Sequence, residues 1–236
     1  PKGLGPGEAS GISSGYLEIG KFYIHNAQTQ KMLAIDVDSL RQNKYNYKSY
    51  STLTSNNGKI LKFTKSNDTF IGDLIPAYKD RFQIYDLGLE EVNTFGEFPP
   101  IEYKGDLDSI SFLVQVKGNL FQGYILSVPK KSLMIYAHPF IDLIQIYDLK
   151  SNERVVNVIG PEQNFPLKYK LLQDGNGVPC TDCKFAYNAV KVFDNRIYAL
   201  YSGNSHMTAK FDQCKNLFVF DLNGNPLKKI ILNVSL

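Results

Sequence analysis

The chain has 236 residues, of which 43% are hydrophobic and 13% aromatic, with no Trp, a formal net charge of +3 and a sequence pI near 8.6. That composition supports a sizeable core in a strand-rich globular protein and excludes a disordered chain. The lysines are scattered rather than gathered into a patch, which argues against nucleic acid as a partner, and no apolar run approaches the roughly 18 residues of a membrane-spanning helix.

Taken in order, Pro1 to Gly11 is dense in Gly and Pro and reads as a loop. The first unit, about residues 12–50, offers short strands at Tyr16 to Ile19, Lys21 to His25, Met32 to Val37 and the polar, Tyr-rich stretch Asn43 to Tyr50. A cleaner second unit, about 58–96, predicts strands at Lys59 to Thr64, Thr69 to Ile75, Arg81 to Leu87 and Glu91 to Phe95. Its Asn67-Asp68 pair is a hairpin signal, because both residue types tolerate positive φ.

Phe98-Pro99-Pro100 ends any strand, since proline removes a ladder donor. The third unit, about 110–160, has an extra apolar run at Ile110 to Val116, then strands at Gly123 to Val128, Leu133 to Ala137, Leu143 to Leu149 and Arg154 to Ile159. A long loop, Gly160 to Lys184, leads to the fourth unit, about 187–233, with strands at Ala189 to Phe193, Arg196 to Tyr201, Leu217 to Leu222 and Leu227 to Leu232. Asn223-Gly224 is its strongest turn signal.

Four segments repeat one pattern, an apolar run ending in Asp: KMLAIDVD, RFQIYDLG, LIQIYDLK and NLFVFDLN. Their aspartates, Asp36, Asp86, Asp148 and Asp221, lie 50, 62 and 73 residues apart, so loops grow while the repeat persists. Units of four antiparallel strands at a period near about 50 residues specify an all-β chain with a β-propeller architecture, read as a single domain. An Asp at each third-strand exit is expected to accept hydrogen bonds from turn N–H groups, a structural role.

Gly5-Pro6-Gly7-Glu8, the repeated Ile-Tyr-Asp-Leu, IYALYSG (197–203) and LFVFDLNGNPLKKI (217–230) resemble the TolB-like six-bladed propeller family, abundant in Bacteroides-type bacteria. The resemblance covers nearly the whole chain. It implies six blades, so two blades are expected to lie outside this chain. It also implies export, with a periplasmic or outer-membrane-anchored location and a lipid anchor outside this chain, and it brings no assigned biochemical activity. WD repeats, the sialidase Asp-box and quinoprotein docking motifs all use Trp, which this chain lacks.

Several residues are candidates for chemistry. His25, His138 and His206 each fall at or just after the end of a second strand, and Asp73, Tyr136 and Tyr201 lie with them. Together they form a candidate ligand-binding face for a protein or glycan partner, with interblade packing of the tyrosines as the alternative. Cys180 and Cys183 form a C-x-x-C, and Cys214 follows. Propeller topology can bring Cys180, Cys183, His206 and Cys214 onto one face, where three thiolates and an imidazole would suit zinc; a disulfide with one cysteine left over, or three unrelated loop cysteines, are the other readings. Calcium at the repeated aspartates would need several carboxylates converging.

No Gly-rich phosphate loop, H-E-x-x-H or G-x-S-x-G is present. The expected function is a binding or scaffolding module with no catalytic residue assigned. Its expected surface carries the loops Gly96 to Gly105, Gly160 to Lys184 and Ser202 to Lys215. A propeller hydrolase or lyase with a site at the central axis, and a structural partner in a cell-envelope complex, are the alternatives.

Overall fold

The computed structural model describes residues 12–18, 20–42, 47–50, 58–75, 80–99, 117–118, 120–161, 169–171, 177–179, 183–205 and 207–233. The expected loop at Pro1 to Gly11 and the run Ile110 to Val116 lie outside them, as do Cys180 and His206. The chain divides into two compact units, Pro1–Phe95 and Gly96–Leu236.

The first unit holds two four-stranded antiparallel sheets, each a meander in sequence order. One comprises β1 (Ile12–Glu18), β2 (Lys21–Asn26), β3 (Lys31–Asp36) and β4 (Tyr47–Tyr50); the other β5 (Lys59–Ser66), β6 (Thr69–Ile75), β7 (Phe82–Tyr85) and β8 (Glu91–Phe95). Asn67 takes a φ of 50° in the β5–β6 turn, as its residue type allows. A five-residue helix, α1 (Val37–Arg41), separates β3 from β4; the Asp36 carboxylate accepts from Ser39 N at 2.8 Å and caps it.

Rings from both sheets of this unit meet edge to face: Tyr23 on Phe70 at 5.8 Å and Phe63 on Phe70 at 5.9 Å. Gln30 joins the sheets by donating from Nε2 to Ile60 O (2.9 Å) and accepting from Ile60 N at Oε1 (2.8 Å). Its side-chain amide thereby takes the place of a strand neighbour for a buried backbone.

In the second unit, β9 (Tyr124–Val128), β10 (Leu133–Ala137), β11 (Leu143–Asp148) and β12 (Glu153–Ile159) form one meander. A small hairpin of β13 (Tyr169–Leu171) and β14 (Gly177–Pro179) follows, inside what the sequence reads as one long loop. The last meander is β15 (Tyr187–Phe193), β16 (Arg196–Tyr201), β17 (Asn216–Asp221) and β18 (Pro226–Ile231). Ile135, Ile144 and Ile146 of one sheet pack against Val190, Ile197, Ala199 and Phe220 of the other. Burial of each such side chain stabilises by roughly 1.5–3 kcal/mol.

The repeat carries a structural signature beyond its aspartates. The strand three to strand four pairing slips by one residue at Ile84/Tyr85, Ile146/Tyr147 and Val219/Phe220, each just before the repeated Asp. A bulge there increases local twist and turns the chain toward the outer strand. Asp86 then accepts from Glu90 N, Asp148 from Lys150 N, and Asp221 from Asn223 N and Asn225 N. These bonds bear out the structural role expected of the aspartates. Hydrogen bonds from Asn225 hold the Asp221 carboxyl below its ordinary value.

Gly224 takes a φ of +83° in the β17–β18 turn, and a Cβ there would meet Val158 Cγ2 at 2.6 Å and Val156 Cγ1 at 2.7 Å. Gly224→Ala should therefore cost about 2 kcal/mol, from positive-φ strain plus crowding against β12. The check is the urea unfolding midpoint, and an unchanged midpoint would contradict this packing.

Candidate functional site

Of the residues singled out for a ligand-binding face, the five described ones are buried. His25, Asp73, Tyr136 and His138 are 0% exposed and Tyr201 is 2%. Each lies near the end of the second strand of its own sheet. His25 Nδ1 lies 3.0 Å from Ser13 Oγ, and its ring meets Phe63 edge to face at 5.7 Å. Asp73 accepts from Arg81 Nε at 3.2 Å. His138 Nε2 lies 3.0 Å from Gln145 Oε1, with the Tyr136 ring 5.0 Å away. Tyr187 donates its hydroxyl to Asp142 at 2.9 Å, joining the last two meanders, and burial with that carboxylate pushes the phenol well above its ordinary range. The structure brings Tyr136 and His138 together. His25 and Asp73 belong to neighbouring sheets of the first unit, and Tyr201 to the last meander, its ring on Tyr187 and Phe218.

The candidate metal set divides similarly. Cys183 is buried among Leu120, Phe121, Ile141 and Leu143. Cys214 is buried at the end of the β16–β17 loop and donates to Asp212 O at 3.3 Å. No disulfide joins Cys183 to Cys214. Burial pushes the Cys214 thiol up to about 11, so it is protonated at neutral pH and would have to lose that proton to ligate zinc. Among the described residues no three His, Cys, Asp or Glu side chains are grouped to hold a metal ion. Cys180 and His206, the other two members, lie outside the described residues.

What the second unit does present is a polar pocket of about 350 Å³, lined by Ser202, Asn204, Lys210, Gln213, Lys215 and Asn216. It is built by the loop between β16 and β17, one of the three loops expected to form the working surface. Side chains fasten this loop's backbone. Asn204 Nδ2 donates to Lys210 O (2.9 Å) and Gln213 O (3.0 Å), Ser202 Oγ to Phe211 O, and Asn188 Nδ2 on β15 to Asp212 O (3.0 Å). Backbone bonds from Gln213 N to Lys210 O and from Leu232 N to Lys215 O close its second half. Phe211 stands edge to face on Phe185 at 5.1 Å.

Such fastening orders the residues before any ligand arrives, which lowers the entropy cost of binding. The side chains of Lys210, Gln213, Lys215 and Asn216, by contrast, make no hydrogen bond or ion pair among the described residues. The pocket therefore offers two ammonium groups and two amides toward solvent. Sequence reasoning named the loop but not these residues. The available signal was the polar density of SGNSHMTAKFDQCKN between two apolar strands.

Comparison with known proteins finds matches to the fold. A protein of Bacteroides fragilis NCTC 9343 designated as exported matches over 97% of this chain and 60% of its own, at 14% identity and a TM-score of 0.53. Kuenenia stuttgartiensis hydrazine synthase matches over 94% of this chain and 49% of its own, at 10% identity and a TM-score of 0.50. Apo AztD from Citrobacter koseri matches over 97% and 49%, at 11% identity and a TM-score of 0.49. The chain thus spans about half the length of the hydrazine synthase and AztD structures and 60% of the Bacteroides fragilis protein. No curated protein sequence matches it. The family model described as TolB-like 6-blade propeller-like matches residues 1–236, and with four four-stranded antiparallel sheets as its propeller blades the chain belongs to that family.

Proposed function

We propose that this chain is part of an exported β-propeller that works as a binding or scaffolding module, with its contact surface at the β16–β17 loop. The observation that carries the reading is the braced loop itself: its backbone is held by Asn188, Ser202 and Asn204, while Lys210, Gln213, Lys215 and Asn216 are left to solvent around a pocket of about 350 Å³. That volume lies at the lower end of the range for small-ligand sites. Loops on a rigid sheet scaffold are where binding residues concentrate. Export is supported by the family and by the Bacteroides fragilis neighbour so designated. Fold alone assigns no activity, so the reading rests on the site.

The test is a thermal-shift screen of soluble glycans and peptides against the native-length protein and an Asn204→Ala variant. Asn204→Ala removes two hydrogen bonds to backbone carbonyls and should loosen the loop at a cost of about 1–2 kcal/mol, while weakening any ligand that stabilises the parent. A ligand that stabilises parent and variant equally would place the working surface elsewhere.

A further inference from the structure

We infer that the β16–β17 pocket takes a polyhydroxylated carboxylate, of the kind presented by a uronic acid residue of an acidic glycan. This deepens the binding-module reading and rests on it. The lining contains Lys210 and Lys215 and no carboxylate. An anion entering it meets two cations without a competing acid. With no arginine in the lining, the cations act as point charges, which suit one carboxylate without demanding the planar two-point fit of a guanidinium.

Gln213 and Asn216 each carry an amide with donor and acceptor side by side, the pattern that matches neighbouring hydroxyls on a sugar ring. Asn204 has both amide hydrogens engaged by Lys210 O and Gln213 O, so its Oδ1 is left as an acceptor at a fixed position. Hydroxyl groups can donate to that oxygen, whereas a phosphate or sulfate ester oxygen cannot.

Phe211 (37% exposed) and Met207 (63% exposed) belong to the same loop, which thus exposes apolar as well as polar side chains. A volume of about 350 Å³ accommodates one or two sugar residues rather than a folded partner.

The experiment is calorimetric titration of the native-length protein with monomeric galacturonate, trigalacturonate, a neutral galactose trisaccharide and a poly-glutamate peptide, repeated on Lys210→Gln/Lys215→Gln. Trigalacturonate should bind at least about tenfold more tightly than the neutral trisaccharide, and the double variant should lose about tenfold in affinity with an unchanged unfolding midpoint. Salt raised to about 1 M should weaken the acid and leave the neutral sugar alone. Equal binding of the monomer and the trimer would assign the site to the free acid, and tighter trimer binding to the polymer; either supports the inference. Equal binding of the neutral trisaccharide, or tighter binding of poly-glutamate, would overturn the ligand class while leaving a binding module. No heat from any of the four would overturn both.

Discussion

Asp73→Ala is expected to destabilise the protein by about 3–5 kcal/mol, the cost of leaving a buried cation without its counter-charge. Asp73 and Arg81 are 0% and 1% exposed and meet at 3.2 Å. β6 and β7 hold the pair, with Leu74 N donating to Arg81 O at 2.9 Å and the guanidinium 5.3 Å over the Phe82 ring. Lys62 stands directly across the β5–β6 ladder from Asp73. Burial lowers the lysine from its ordinary value, and the Asp73 charge opposes that shift. Removing the carboxylate therefore exposes two partly or fully buried cations to each other. Urea unfolding of Asp73→Ala measures the loss, and Asp73→Ala/Arg81→Met should recover part of it, because the buried guanidinium goes with its carboxylate while Lys62 still faces the vacated position. A loss below about 1 kcal/mol, or no recovery in the double variant, would mean the pair is solvated in a way this geometry does not describe.

His25 should make stability fall as pH drops from about 6.5 to about 4. Burial lowers its pKa to about 4, because the charged ring would lose its water and its Nε2 has no hydrogen-bond partner among the described residues. Within that window the unfolded chain binds a proton that the folded chain refuses. The slope of stability with pH is thus positive there, and it flattens below the folded value. Integrated over the window, the effect is on the order of 3 kcal/mol. His25→Gln removes the titration, so the stability difference between parent and variant should narrow by that amount between neutral pH and pH 4. A difference that does not change with pH would show that the ring is hydrated or protonated in the fold.

These two positions mark where the sequence was readable and where it was not. The strands themselves were legible because Asn67, Asn223-Gly224 and the repeated Asp impose turn geometry through local chemistry, and the structure puts Asn67 and Gly224 at positive φ. β1 begins at Ile12 rather than Tyr16 because Ser13 and Ser14, polar in sequence, bond outward from the strand to His25 and Phe63 N. The β13–β14 hairpin lay hidden in a segment whose Gly and Pro read as loop. His25, Asp73 and His138 were found by their place at strand ends, yet their partners are Ser13, Arg81, Gln145 and aromatic rings brought in from other parts of the chain. No local pattern encodes those partners. The pocket residues were missed for a similar reason: Lys210, Gln213, Lys215 and Asn216 look like ordinary surface residues until Asn188 and Asn204 are seen pinning the backbone that presents them.

The most direct measurement is an amide NMR map of the native-length protein titrated with trigalacturonate. Binding at the β16–β17 loop predicts shifts confined to Ser202 through Asn216 and to Asn188, whose side chain anchors that loop. Shifts centred on the buried residues around His25 or on those around His138, or none at saturating ligand, would contradict it.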